Sequence, residues 1–277
     1  MASPSADLEL LRLAAGAAGD LAMKYFRQNP AVRSKLGGSP VTEADTAVDE
    51  FLRNTLLAER PGYGWLSEET ADDPPQRRHD ITFVVDPIDG TRGFIAGDER
   101  WCVSIATVRE GRPLAAALAA PALGETFTAT AGEGAWSGAS RLLASTAPVL
   151  LGARLAGPRG WLKAEAIRGV SATLEGHIPS LAYRFAMVAA GRLDAAFASP
   201  GANDWDLAAA DLLVHEAGGR LTGLDGSIPR YNREIPRHGA LAAASAGLHP
   251  ALLAAVWAAE QEVAGSGRPA PRLRNQE

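Results

Sequence analysis

Cysteine is almost missing from this chain: Cys102 is the only one in 277 residues. No intramolecular disulfide and no zinc site built on cysteine can form. A reducing, cytoplasmic setting is therefore expected. Long apolar runs are missing as well. The alanine- and leucine-rich stretches near 114–122 and 251–259 are broken by Pro121 or followed by charge, so neither reaches membrane-spanning length. The N-terminus lacks a basic segment followed by an apolar one, so no secretory signal is read there. Positive charge is short: 27 Lys and Arg stand against 32 Asp and Glu, a net charge of −5. That excludes a broad nucleic-acid-binding face but leaves room for local positive charge at an anion site. His79, His177, His215, His238 and His249 are scattered without metal-ligand spacing, and no Ser-His-Asp grouping stands out. Chemistry therefore has to be sought among carboxylates.

They gather around one stretch, Phe83 to Arg92. Ile81 to Val85 is apolar and β-branched, which predicts a buried strand. Pro87 cannot donate to a ladder, so the strand is expected to stop at Asp86-Pro87. Asp86 and Asp89 stand at i and i+3, followed by Gly90-Thr91. If Gly90 opens a helix, both carboxylates lie where a strand hands over to a helix N-terminus, a place suited to phosphate. Two hard oxygen ligands with a carbonyl between them suit Mg²⁺ better than Zn²⁺. An Asp-Pro turn followed by an Asx-type cap accounts for these residues taken alone. Three further acidic elements tip the reading toward a metal site.

Residues 7–27 carry an apolar stripe of helical period, and Asn29-Pro30 stops it. Gly37-Gly38 and Pro40 predict a mobile hairpin. Thr42 or Asp45 then caps a helix running from Ala44 through Leu56. The next acidic element, Glu68-Glu69, ends a short apolar strand from Gly64. After Trp101 the period becomes strand-like. Trp101–Arg109, Pro113–Ala120 and Thr126–Ala131 predict an antiparallel meander joined to the strand that ends at Asp86. Beyond a break near Ser140–Pro148, strands (Val149–Leu155, Ala172–Glu175, Leu193–Ala198) alternate with helices (Leu162–Arg168, Ser180–Ala190), as in a second, α/β-type unit. The last acidic element, Asn203-Asp204-Trp205-Asp206, opens a helix that Gly218-Gly219 ends, so Asp206 could simply cap it. We divide the chain into an N-terminal α+β subdomain (1–145), a C-terminal α/β subdomain (146–264) and a polar, proline-rich tail (265–277) expected to be disordered.

Asp45 behind Ser39-Pro40-Val41-Thr42, the Glu68-Glu69 pair, Asp86-Pro87-Ile88-Asp89-Gly90-Thr91 and Trp205-Asp206 resemble, in order, four motifs of the inositol monophosphatase superfamily. The resemblance runs from about Ala6 to about His249. It implies an α/β (α+β) fold: the layered αβαβα sandwich of the inositol monophosphatase/fructose-1,6-bisphosphatase type. The implied activity is Mg²⁺-dependent, lithium-sensitive hydrolysis of a small phosphorylated metabolite, with two to three ions between the subdomains. The resemblance assigns metal ligation to Glu68, Asp86, Asp89, Asp206 and the carbonyl of Ile88. Thr91, oriented by Asp45 and acting with Glu68, positions the attacking water. Gly90, Thr91 and Lys35 hold phosphate. Many relatives are homodimers.

Lys35 and its spacing to Asp45, Ser199 where animal inositol enzymes carry a glutamate, and Ser180 to Arg184 resemble the 3′(2′),5′-bisphosphate nucleotidase branch, with Arg184 and Asp204 as further substrate candidates. Its substrate is a bisphosphorylated nucleotide such as 3′-phosphoadenosine 5′-phosphate. Gly93 departs from that branch's pattern. Inositol monophosphate and histidinol phosphate are the alternative substrates; Trp101 is placed as in histidinol-phosphate phosphatases. A non-enzymatic role as an accessory factor in RNA transcription and processing is the alternative of another class.

Overall fold

The structure is a computed structural model that describes residues 4–34 and 40–265. Lys35 and the polar tail beyond Gly265 lie outside the described residues. Helices α1 (Pro4–Met23) and α2 (Glu43–Glu59) flank a small hairpin, β1 (Val32–Ser34) and β2 (Pro40–Thr42). Then come β3 (Gly64–Ser67), the short α3 (Pro74–Arg77), β4 (Thr82–Asp89) and α4 (Thr91–Ile95). A meander follows: β5 (Cys102–Arg109), β6 (Arg112–Ala120), β7 (Glu125–Thr130), β8 (Gly134–Ser137) and β9 (Ser140–Arg141). The rest of the chain forms β10 (Arg154–Ala156), α5 (Arg159–Leu162), α6 (Glu165–Arg168), β11 (Thr173–Leu174), α7 (Leu181–Ala189) and β12 (Ala195–Ala198). It closes with α8 (Asp204–Glu216), β13 (Gly219–Gly223), β14 (Leu241–Ser245) and α9 (His249–Gly265).

Strands β3 to β9 form one sheet in sequence order; β11-β10-β12-β14-β13 form a second. Side chains alternate across each strand. Phe83 and Val85 of β4 join Leu11, Val48 and Leu52 of α1 and α2 in one core. Val84 points the other way, into a core shared with Ala182, Phe185, Ala209 and Leu213 of α7 and α8 and with Ala196 and Ala243 of the second sheet. Ala195 and Phe197 point into a third core with Trp161, Ile167 and Leu252 of α5, α6 and α9. The layers therefore run α, β, α, β, α. Each sheet is covered on both faces, which explains why the central strands read as continuous apolar runs. Each fully buried large side chain, such as Phe83, contributes roughly 1.5–3 kcal/mol. Alanines at 116 in β6 and 208–210 in α8 keep that helix close to the sheet.

Three expectations need correction. Strand β4 does not stop at Asp86-Pro87 but pairs on to Asp89, opposite Cys102. The register shifts between Asp86 and Asp89, and Pro87 sits in that bulge, where no ladder donor is demanded of it. The strand predicted from Val149 begins only at Arg154, because Val149 and Leu151 turn out into solvent, 53% and 70% exposed. The helix expected over 162–168 is split into α5 and α6. Among the described residues no helix is long and apolar enough to cross a membrane.

Candidate active site

The acidic motifs meet at the ends of two parallel strands. β3 and β4 lie side by side with Ser67 opposite Val85, so Glu68 and Asp86 emerge together from the sheet. One oxygen from each of Glu68, Asp86 and Asp206 lies within 4.8 Å of the others. Asp89 lines the same cavity of about 230 Å³ with Glu68, Gly90, Thr91, His177 and Asp206.

Each of these aspartates is held by one oxygen. Asp86 Oδ1 accepts the Ile88 N–H at 3.0 Å, while its Oδ2 is buried with no protein partner. Asp89 Oδ2 accepts from the Ser180 hydroxyl and from the Ala182 N–H at 2.6 Å, both at the start of α7. Asp206 Oδ2 accepts the Asn203 N–H at 2.7 Å. Asn203 is the N-cap of α8, and Asp206 at the third helical position closes the capping box through that bond while it lines the cavity.

Electrostatics say what the cluster calls for. Burial raises the carboxyl of Asp86 well above its ordinary range, and Glu68, Asp89, Asp206 and Asp45 push the same way. Burial lifts Asp89 to about 6, against the donors at Ser180 and Ala182. Asp206 is raised well above its usual range by burial and then by Asp89. Carboxylates gathered out of water repel one another, and a hard divalent cation relieves both costs. The orphaned Asp86 Oδ2 among oxygen-only donors fits such an ion.

Beside the acidic trio, Gly90 takes φ +94° and turns the chain from β4 into α4. A Cβ there would lie 3.0 Å from the Ser180 nitrogen. Thr91 Oγ1 donates toward Asp45 Oδ1 and the Ile88 carbonyl, each at 3.1 Å. Asp45 Oδ2 is held by the Thr42 N–H at 2.7 Å and the Thr42 hydroxyl at 2.6 Å, closing a capping box on α2. Burial raises the Asp45 carboxyl, and the Thr42 and Thr91 donors counter it.

Sequence reasoning missed three supports. Asp49 lies one turn along α2 from Asp45 and so on the same face. It accepts hydrogen bonds from Ser67 Oγ and from Thr70 Oγ1, pinning both sides of the Glu68-Glu69 turn. Ser180 anchors Asp89 from 91 residues away. Packing accounts for the glycine at 93: a Cβ there would come within 2.6 Å of the Cβ of Pro179, the residue before Ser180. Gly93→Ala should therefore overpack this contact at about 1–3 kcal/mol. At 2–4 °C per kcal/mol, that is a melting-temperature loss of several degrees. Turnover should fall with it by roughly 10- to 100-fold, as for loss of a side chain that only orients a ligand. Thermal melting and steady-state kinetics check this; wild-type values in both would show that Pro179 yields.

Among the substrate candidates, Asp204 is corrected. It is fully buried, with its oxygens taken by the Asn232 N–H at 2.6 Å and His238 Nε2 at 2.7 Å. It braces the start of α8 and has no surface left for a substrate. Arg184 is interior and not on a solvated helix face: it donates to the Phe197 and Ile178 carbonyls at 3.0 and 3.3 Å.

Comparison with known proteins places the whole chain, not single residues, in a family. The model of the inositol monophosphatase family matches residues 6–261. The histidinol-phosphatase of Mycobacterium tuberculosis is 38% identical over 201 residues, covering 68% of this chain and 75% of its own. The inositol-1-monophosphatase of Mesorhizobium japonicum is 34% identical over 240 residues, covering 83% and 87%. The solved extragenic suppressor protein suhB of Bartonella henselae superimposes with a TM-score of 0.81 at 29% identity, over 91% of this chain and 98% of that one. Its fold is the layered sandwich described above. A match across nearly the whole chain, with phosphatases among its relatives, leaves one conclusion: the chain belongs to the inositol monophosphatase family and is a phosphoric monoester hydrolase.

Proposed function

We propose that the chain is a Mg²⁺-dependent phosphomonoesterase using two to three ions, with a small bisphosphorylated nucleotide such as 3′-phosphoadenosine 5′-phosphate as preferred substrate. The observation that carries the chemistry is the buried, unpartnered Asp86 oxygen within a carboxylate trio, next to a threonine hydroxyl bonded to a second buried carboxylate.

Glu68, Asp86, Asp89 and Asp206, with the Ile88 carbonyl, would hold the ions. Bound Mg²⁺ supplies Lewis acidity that polarises water and the phosphoryl oxygens. Thr91 gives its proton to the hydrogen bond with Asp45 and so turns lone-pair density toward the attacking water. Glu68 fixes that water from the other side for in-line approach to phosphorus. Backbone N–H groups at Gly90 and Thr91 receive phosphate oxygens, and the left-handed turn at Gly90 lets the phosphate come close.

The first test is phosphate release with and without Mg²⁺ on 3′-phosphoadenosine 5′-phosphate, inositol 1-phosphate and histidinol phosphate. Mg²⁺-dependent turnover favouring the bisphosphate supports the reading. The relatives named histidinol-phosphatase and inositol-1-monophosphatase favour a second reading in which one of the other two esters is preferred. Thr91→Val removes the hydroxyl at constant shape. It should lower kcat by about 10²–10⁴, the range of general acid–base assistance, with KM and the Mg²⁺-induced rise in Tm unchanged. Unaltered kcat would remove Thr91 from the mechanism.

A further inference from the structure

We infer that a second cavity, walled by Arg159, Arg184 and Arg237 and joined to the acidic site at His177, binds a second phosphate carried on the alcohol part of the substrate. The inference rests on the phosphatase reading above and assigns the residues that would select among its substrates.

The cavity encloses about 510 Å³, within the roughly 300–1,000 Å³ usual for small-molecule sites. Its walls include three arginines, His177 and Ser199, and no carboxylate. The acidic cavity is lined by His177 as well, so the two cavities adjoin there. One half gathers carboxylates that call for cations; the other gathers guanidinium groups that call for an anion.

Arg184 makes the second half more than a patch of surface charge. It rises from α7, the helix whose capping residue Ser180 holds Asp89. It is buried, its two terminal nitrogens donate to backbone carbonyls, and its Nε has no partner. A guanidinium desolvated without a bonded carboxylate is costly, and an anion in the cavity offsets that cost. Burial draws its pKa down to about 10, with Asp89 alone opposing. Arg159 opens α5, and Arg237 is tethered through Nε to the Gly201 carbonyl at 3.3 Å. Both are exposed, so neither carries the fold. The positive field is also felt at His177, whose pKa is lowered first by burial and then by Arg159, Arg184 and Arg100.

Substrate chemistry follows from this division. An ester whose alcohol bears another phosphate finds a partner in each half. A neutral polyol offers the arginines hydroxyl acceptors but no charge to pair with, and a cationic amino alcohol is repelled by them.

A matched pair of substrates tests this: 3′-phosphoadenosine 5′-phosphate and adenosine 3′-monophosphate differ only in the second phosphate. With Mg²⁺ and the full chain, wild-type kcat/KM should be at least about 100-fold higher on the bisphosphate, given the strength of charge-assisted phosphate contacts. The double variant Arg159→Ala/Arg237→Ala should lose about 10- to 100-fold on the bisphosphate and stay within twofold of wild type on the monophosphate. Equal loss on both substrates, or no wild-type preference, overturns the proposal. Absence of Mg²⁺-dependent hydrolysis for every ester, p-nitrophenyl phosphate included, would overturn the phosphatase reading instead. Calorimetric titration of adenosine 5′-monophosphate then still decides the cavity. A Kd at least tenfold weaker in the double variant upholds it, and an unchanged Kd sinks it.

Discussion

Asp86→Asn should leave a folded protein that turns over at least on the order of 10³-fold more slowly in saturating Mg²⁺. That exceeds the roughly 10- to 100-fold loss seen when a group merely orients a ligand. The substitution is selective. Asn keeps an Oδ1 to accept the Ile88 N–H and replaces only the orphaned Oδ2, which we assign to the metal. It also withdraws one charge from a cluster whose members repel each other. Stability and activity should therefore move in opposite directions. Without metal the variant should melt higher than wild type; with Mg²⁺ added, wild type should gain melting temperature and the variant little. Turnover within tenfold of wild type, or an undiminished Mg²⁺ shift, would refute the assignment of Asp86.

Chelation is expected to have the other large effect, and pH sets its size. Burial holds Asp89 up at about 6, above an ordinary 3.8, and Asp86 and Asp206 are raised in the same sense. In that window the folded chain binds more protons than the unfolded one. Stability therefore falls as pH rises from about 3.8 through 6 and is lowest above it. These are raised carboxylates, so the sign is opposite to that of a salt-bridged aspartate. Metal-free protein should accordingly melt higher at pH 5.5 than at pH 7.5. Mg²⁺ competes with those protons, so its stabilisation should be largest at pH 7.5 and shrink toward pH 5.5. At 100 times Kd the gain is about 2.7 kcal/mol, or roughly 5–10 °C for a chain of this size. Thermal melts over that pH range, with EDTA or with Mg²⁺, read this directly. A metal-free profile that is flat, or that falls toward pH 5.5, would show that the carboxylates are not strained in the way their burial implies.

Local pattern carried much of this molecule into view. The apolar stripes of α1 and α2, the meander after Trp101 and the Gly218-Gly219 stop of α8 follow from period and turn chemistry, which neighbouring residues set among themselves. The Asp86-to-Thr91 stretch was legible for the same reason: strand, two acids, glycine and helix start are consecutive. Its one misreading, the end of β4, came from treating Pro87 as a stop when a bulge let the ladder pass it.

The remainder depends on contacts between residues far apart in the chain. Ser180 meets Asp89 across 91 residues because α7 is packed between the two sheets. Asp204 reads as a substrate-binding candidate next to a metal motif, yet the return of His238 and Asn232 buries it completely. Arg159, Arg184 and Arg237 stand far apart in the chain, and nothing in their local sequence marks them as one group; the second sheet and its helices bring them to one cavity. Residue order alone thus settled most of the strands and helices, though not all their bounds, and which motif holds the acids, since φ/ψ preference and burial period are local properties. Which side chains face one another across the site was left to the packing of whole layers, because close-packed interiors place distant residues by shape and volume, not by sequence spacing.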